Sequence, residues 1–106
     1  MLNKIKLTEQ RGTLLIVRVP EELDHHVAEE VRAETDRILR TEDIRRLVFD
    51  FSQTVFCDSS GIGMLMGRYK MMHALGGEMQ AVHVNENVNR ILKISGITKL
   101  ISVKND

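Results

Sequence analysis

Several features that define other protein classes are scarce in this sequence of 106 residues. Cys57 is the only cysteine, so an internal disulfide is impossible, and no pair of cysteines can hold a metal ion. Basic and acidic residues number 15 each, which leaves no net charge to attract nucleic acid or an anionic membrane. We therefore expect Cys57 to be a small buried side chain, and we expect no metal, nucleic acid or membrane as a partner.

Long apolar runs are scarce as well. No apolar stretch approaches the roughly 20 residues that a membrane-spanning helix requires. The first seven residues, Met-Leu-Asn-Lys-Ile-Lys-Leu, lack the apolar segment of a secretory signal. What remains is a chain with 42% hydrophobic residues, enough for a modest core. We expect a cytoplasmic protein that folds as a single domain over residues 1–106.

The most informative stretch runs from Val55 to Met72. The apolar run just before it predicts a strand, and Asp58-Ser59-Ser60 predicts a helix start, because short polar side chains cap the free amides there. The two serines are thus expected at a strand-to-helix turn. Apolar residues then recur at helical spacing and predict one buried face, formed by Ile62, Leu65, Met66, Tyr69 and Met72.

Glycines interrupt this predicted helix at Gly61, Gly63 and Gly67. Each lowers the helix propensity by up to about 1 kcal/mol, so their presence needs a physical reason. Glycine allows a close approach, either of the helix to the sheet beneath it or of another molecule to the helix from outside. The sequence leaves both possibilities open.

Three further side chains of this helix are candidates for an interface. Met64 is predicted on the side opposite the buried face and close to Ser60, where a flexible thioether would suit a partner. Arg68 and Lys70 flank Tyr69, and their charges are equally compatible with a solvated face and with partner contacts.

The chain before the central stretch predicts a hairpin and a helix. Ile5 and Leu7 alternate with polar neighbours, Glu9-Gln10-Arg11-Gly12 predicts a turn, and Thr13 to Val19 predicts a second strand. Asp24 is a good helix cap, and an apolar stripe at helical spacing follows it until about residue 40.

Strands and helices alternate along the rest of the chain. The further predicted elements are a strand at Arg46–Phe51, the central helix ending at Gly76-Gly77, a strand at Met79–Val84, a helix from Asn85 or Glu86 to Gly96, and a strand at Leu100–Val103. This order predicts an α/β fold: a single-layer, mostly parallel β-sheet with an antiparallel N-terminal edge hairpin, packed by about three helices.

Sequence blocks spread over the chain resemble the STAS-domain anti-sigma factor antagonists, and especially those of the sporulation sigma-F system of endospore-forming bacteria. The matching blocks are Glu22-Leu23-Asp24-His25-His26, Asp58-Ser59-Ser60-Gly61, Gly67-Arg68-Tyr69-Lys70 and Gly76-Gly77-Glu78-Met79. The resemblance implies the STAS fold and a binding protein, not an enzyme, that needs no cofactor. A general-stress or other partner-switching antagonist of the same family is the alternative.

The resemblance also implies partners and site residues. The unphosphorylated protein would bind an anti-sigma factor that is also a serine kinase and so release the sigma factor. That kinase would switch the protein off by phosphorylating Ser59, and a serine phosphatase would reactivate it. The expected partner-binding residues are Asp24, Asp58, Ser59, Ser60, Gly61, Gly63, Met64 and Arg68. By spacing alone, Ser59 and Ser60 are better explained as helix caps, and the resemblance reverses this for Ser59.

Two other functions fit parts of the pattern. The glycines from Gly61 to Gly67 imitate a dinucleotide-binding loop, but 106 residues leave no room for a second nucleotide-binding half. A hydrolase would need Ser59 together with His25 or His26 and an aspartate, Asp24 or Asp58. Adjacent helical residues point about 100° apart, which places Asp24 and the histidines poorly for acting on one another.

Overall fold

The computed structural model describes residues 7–105, and strands and helices alternate through most of this range. The strands are β1 (Thr8–Arg11), β2 (Leu14–Arg18), β3 (Glu22–Leu23), β4 (Arg46–Asp50), β5 (Phe56–Cys57), β6 (Glu78–Val82) and β7 (Ser102–Val103). The helices are α1 (His25–Thr41), α2 (Ser59–Ala74) and α3 (Glu86–Ser95), with a 3-10 turn at Ile97–Lys99. No helix of this described part is long and apolar enough to cross a membrane.

The main sheet has five strands in the order β1-β2-β4-β6-β7. The pair β1 and β2 is antiparallel, and every other neighbouring pair is parallel. Successive parallel strands are joined through α1, α2 and α3, and because such connections are right-handed and proceed in one direction, all three helices lie on one face. The predicted α/β fold, a mostly parallel sheet with an antiparallel edge, is confirmed.

The core lies between this helix-covered face and the helices. Along β2, Leu15 and Val17 are completely buried, whereas Leu14 and Ile16, which alternate with them, are only half-buried. The same alternation occurs in β4, because successive side chains of a strand point to opposite faces. The hydrophobic core therefore fills one side of the sheet.

A small second sheet, which the sequence pattern does not reveal, pairs β3 with β5. The two strands are parallel, with Glu22 opposite Phe56 and Leu23 opposite Cys57. Each strand has only two residues, too few for a recognisable period. This pair matters because α1 begins directly after β3 and α2 directly after β5.

The first hairpin differs from its prediction. Residues Glu9 to Arg11, predicted as a turn, belong to strand β1, and the chain reverses instead at Gly12, whose φ is +60°, and Thr13. Glu9 forms an ion pair with Arg11 of the same strand and another with Arg18 across the hairpin, so its polar character reflects a solvent-facing strand. Leu7 precedes the strand, and Ile5, the other residue of the predicted first strand, lies outside the described residues.

The predicted helix boundaries agree more closely with the structure. Asp24 caps α1, Asn85 caps α3, and Gly96 ends α3 with a φ of +86°. Gly76 follows the end of α2 with a φ of +76°. The last strand is shorter than the predicted Leu100–Val103, because the amides of Leu100 and Ile101 donate to the Ile97 carbonyl and extend the 3-10 turn.

Candidate functional site

The amino end of α2 is the centre of the candidate site. Asp58 caps the helix, and its carboxylate accepts a hydrogen bond from the Gly61 amide at 3.0 Å. Ser59 is the first helical residue and is exposed, whereas Ser60 is half-buried. Since Asp58 performs the capping, the Ser59 hydroxyl is left free for another role.

The amino end of α1 lies beside that of α2. Asp24 caps α1 by accepting a hydrogen bond from the Val27 amide at 3.0 Å. Leu23 and Cys57 are paired in the small sheet, and Asp24 and Asp58 directly follow them, so the two capping residues are neighbours at the end of this sheet. The small sheet therefore places two helix amino ends, with their partial positive charges, next to Ser59.

Gly61, expected at a partner interface, faces the interior instead. A Cβ atom at this position would lie 2.7 Å from Cγ of Leu23 and 2.9 Å from Sγ of Cys57. The close approach that this glycine permits is therefore between α2 and the small sheet. This internal packing explains the glycine at position 61, and a contact of Gly61 with a partner stays a prediction.

Gly63 and Gly67 have a different environment. A Cβ atom at either position would meet no atom of residues 7–105 within 4 Å, so nothing in this part of the chain requires a glycine there. Both line a groove of about 290 Å³ between α1 and α2, which also contains Ser60 and, from α1, His25. Of the two explanations for glycine in α2, an approach from outside remains for these positions.

The buried face of α2 is turned toward α1 relative to the prediction. Its buried residues are Gly61, Met64, Leu65, Arg68 and Met72, whereas Ile62, Met66 and Tyr69 are only half-buried. The reason is that α2 packs against α1 as well as against the sheet. A glycine and an arginine add nothing to an apolar pattern, so hydrophobic spacing could not reveal this face.

The structure places Met64 and Arg68 differently from the prediction. Met64 is only 4% exposed and forms part of the groove's floor near Ser60, so it is not the exposed interface residue that was expected. Arg68 is 5% exposed, so a solvated face does not describe it, and its contact with a partner stays a prediction. Lys70, which flanks Tyr69 on the other side, is exposed.

Arg68 joins α2 to α1. Its Nη1 donates hydrogen bonds to the Arg32 carbonyl at 3.1 Å and to Oγ1 of Thr35 at 3.3 Å, and its Nη2 lies 3.0 Å from Oδ1 of Asp36. Burial lowers the pKa of the Arg68 guanidinium below its ordinary value, and the Asp36 carboxylate opposes that change. The guanidinium thus holds in place the two helices that border the groove.

Cys57 is a buried thiol directly before the capping residue Asp58. It is 3% exposed, as expected for a small apolar side chain. Burial, with a smaller contribution from the Asp58 carboxylate, raises the pKa of the thiol to about 11. The thiol is therefore protonated and unreactive at neutral pH.

The carboxylates and imidazoles around Ser59 are already engaged or exposed. Asp24 and Asp58 are committed to helix caps, and the exposed rings of His25 and His26 pack edge to face, with centroids 5.6 Å apart. Within residues 7–105, no group of at least three His, Cys, Asp or Glu side chains is arranged to hold a metal ion. The geometry offers an exposed hydroxyl beside a groove, which favours a surface that a protein recognises.

Comparison with known proteins agrees with this geometry. Residues 4–106 match the STAS domain family. The chain is 38% identical over 100 residues to an anti-sigma F factor antagonist of Paenibacillus polymyxa, covering 94% of this chain and 85% of that protein. The chain belongs to the STAS-domain family of anti-sigma factor antagonists.

Other relatives of this STAS domain are more distant. An anti-sigma F factor antagonist of Lysinibacillus sphaericus is 25% identical over 83 residues, which cover 78% of this chain and 71% of that protein. The structure of the anti-sigma factor antagonist SpoIIAA in its unphosphorylated form superimposes with a TM-score of 0.83 at 25% identity, covering 91% of this chain and 84% of that one. The predicted STAS fold is thereby confirmed, and anti-sigma factor antagonists act by binding anti-sigma factors.

Proposed function

We propose that this protein is an anti-sigma factor antagonist of the sporulation sigma-F type and that phosphorylation of Ser59 controls its binding. The observation that carries the proposal is the arrangement at the start of α2: Asp58 caps the helix, and Ser59 is left exposed with its hydroxyl free. The anti-sigma F factor antagonist of Paenibacillus polymyxa supports the choice of sigma system. A general-stress antagonist is the alternative within the family.

The proposed partner is an anti-sigma factor that is also a serine kinase. When the unphosphorylated protein binds it, the sigma factor is released, and when the kinase phosphorylates Ser59, the complex dissociates. A serine phosphatase would restore the binding form. The protein itself performs no catalysis in this cycle, which takes place in the cytoplasm together with transcription. SpoIIAA is described in an unphosphorylated form, which supports phosphorylation as the modification to test.

The proposed contact surface consists of the two helix amino ends and the outer side of α2. Ser59 is at its centre, Ser60 and Gly63 extend it toward the groove, and the capped ends at Asp24 and Asp58 lie beside it. Gly63 offers an open surface on which a partner backbone can approach. The buried residues Gly61, Met64 and Arg68 contribute indirectly, by fixing the helices that carry this surface.

A phosphate at Ser59 would alter binding more than folding. It adds about −1.5 to −2 charges at neutral pH. The helix amino end favours an anion by about 0.3 to 1 kcal/mol, but the carboxylate of Asp58 next to it opposes the phosphate, so the local effects nearly cancel. A partner closed over Ser59 would have to remove water from that charge, and a penalty of about 4 kcal/mol would lower affinity about a thousandfold.

The test uses the anti-sigma F factor of Paenibacillus polymyxa and ATP. We expect mass spectrometry to locate one phosphate on Ser59 and the Ser59→Ala variant to remain unphosphorylated while still binding the factor. Ser60→Ala is the matched control and should be phosphorylated normally. Phosphate on Ser60, or binding that is unaffected by phosphorylation, would contradict the proposal. Selective binding to an anti-sigma-B factor instead would favour the general-stress alternative.

A further inference from the structure

Thr54 is the best-anchored residue of the loop that leads from β4 to Ser59. Its side chain is buried, and its hydroxyl lies 3.0 Å from the Val19 carbonyl and 2.9 Å from the Pro20 carbonyl, both at the end of β2. Its amide donates to the Phe51 carbonyl at 3.0 Å. Thr54 therefore attaches the loop to the segment that directly follows β2.

Asn85 attaches the same loop to α3. Its Oδ1 caps α3 by accepting from the Val88 amide at 2.9 Å, and its Nδ2 donates to the Thr54 carbonyl at 2.8 Å. The two ends of one amide thus have separate tasks. Asp, Ser or Thr would also cap a helix, but an aspartate has no hydrogen to donate to Thr54.

The anchored residue is close to Ser59 along the chain. Directly after Thr54, the amides of Val55 and Phe56 donate to the Glu21 carbonyl, and the Asp58 amide donates to Leu23. These bonds hold β5 against β3 and place Asp58 for capping. A displacement of Thr54 would therefore be passed to Ser59 through a short hydrogen-bonded segment.

We infer that Asn85, through its hydrogen bond to Thr54, is a positioning residue for the presentation of Ser59 to the kinase. This inference rests on the proposed function for its kinetic consequence, but its structural part does not. When the bond is present, residues 55–58 stay ordered on β3, and the kinase meets Ser59 in one conformation. When it is absent, part of the ordering must occur during binding, which raises the KM for the protein substrate and leaves kcat little changed.

The decisive variant is Asn85→Asp. It keeps an acceptor for the α3 cap and adds a negative charge where a helix amino end tolerates one, yet it removes the donor to Thr54. Asn89→Asp, in the same helix, is the matched control for the added charge. Thr54→Val removes the hydroxyl bonds to the Val19 and Pro20 carbonyls at nearly constant shape, and Thr54→Ser keeps a hydroxyl for them. This pair tests the anchoring of the loop even if Asn85→Asp folds poorly.

The first measurement is amide hydrogen exchange of the protein alone. In Asn85→Asp and Thr54→Val, we expect exchange at Phe56 and Asp58 to be about twofold to tenfold faster, the factor that corresponds to one neutral hydrogen bond. Core amides of β4 should keep their rates, and Asn89→Asp and Thr54→Ser should resemble the parent. Unchanged exchange at Phe56 and Asp58 in Asn85→Asp would overturn the inference, whatever Thr54→Val shows.

The second measurement is the rate of phosphorylation by the anti-sigma F factor of Paenibacillus polymyxa with ATP. We expect KM to rise by about twofold to tenfold in the two loop variants with kcat within about twofold of the parent. Equal KM values would refute the kinetic part of the inference. A parent protein that receives no phosphate would contradict the proposed function instead, while the exchange result would stand on its own.

Discussion

At the start of α2, adjacent polar residues have separate tasks. Asp58 caps the helix, Ser59 is exposed, and Ser60 lines the groove. Spacing alone allows any of the three to be the cap, because all are short polar side chains. The bond from the Gly61 amide to Asp58 decides among them.

Single substitutions at these positions should therefore differ in stability. We expect Asp58→Ala to lower the free energy of unfolding by about 0.5 to 2 kcal/mol, the usual effect of losing a cap. Ser59→Ala and Ser60→Ala should each change it by less than about 0.5 kcal/mol. Urea unfolding of the three variants measures this. If Ser59→Ala were as damaging as Asp58→Ala, Asp58 would not be the effective cap.

Cys57 gives the protein a pH dependence at alkaline pH. Its thiol has a pKa of about 11 in the folded protein against an ordinary value of 9.0, so the unfolded chain releases its proton first. The stability that this difference represents is complete below about pH 9 and is lost as pH rises through about 11. We expect Cys57→Ala to lose less stability than the parent across this interval in parallel urea titrations. Identical slopes in the two proteins would contradict the raised pKa.

At the scale of elements, the α1–α2 contact depends on a buried charge. Arg68 is held by Asp36, Thr35 and the Arg32 carbonyl. Removing one partner of a buried ion pair leaves an uncompensated charge, whereas replacing the charge with an apolar side chain of similar size is often tolerated.

This asymmetry predicts the effect of two substitutions. We expect Asp36→Ala to destabilise the protein by at most about 3 kcal/mol and Arg68→Met to cost clearly less. The Asp36 side chain is partly exposed, so water can replace part of its interaction with Arg68. Chemical denaturation gives both values. A larger cost for Arg68→Met would mean that its hydrogen bonds to α1 outweigh the burial of the charge.

The glycines of α2 provide a second comparison at this scale. Gly61→Ala should destabilise the protein by about 1 to 3 kcal/mol, because the new methyl group would overlap Leu23 and Cys57. Gly63→Ala should stabilise the isolated protein by up to about 1 kcal/mol while weakening binding to the anti-sigma factor. Thermal melts and binding titrations of both variants separate the effects. If Gly63→Ala bound with unchanged affinity, the partner would not approach the helix there.

For the whole molecule, the proposed switch requires little structural change. The phosphate would be placed on an exposed residue at the end of a helix, and no buried contact of the core involves Ser59. Blocking at the contact surface therefore accounts for the loss of binding without a rearrangement of the sheet.

Amide chemical shifts of the two forms test this directly. Phosphorylation of Ser59 should leave the melting temperature nearly unchanged and confine shift changes to the amino end of α2 and the adjoining loops. Ser60→Ala, phosphorylated on Ser59 in the same way, is the matched control for shift changes that arise locally at the amino end of α2. Changes that spread through β6 and α3 would indicate an allosteric mechanism instead.

The order of strands and helices, the cap at Asp24, a helix start at Asn85 or Glu86, and the position of Ser59 at a strand-to-helix turn could all be predicted from the sequence. These features are local, because a cap or a hydrophobic period involves residues within a few positions of one another. The resemblance carried by the same local blocks extended this to family and fold. The hairpin turn was misplaced because polar residues of a solvent-facing strand resemble a turn.

Which faces are buried and which loops are fixed depends on contacts between segments that are distant in the sequence. Arg68 contacts Arg32 from 36 positions away, and Asn85 reaches Thr54 across 31. The pairing of β3 with β5, which turns Gly61 inward, also joins distant segments. Such contacts form only when the whole chain has folded, since a side chain's polarity predicts its burial only if its partners are known.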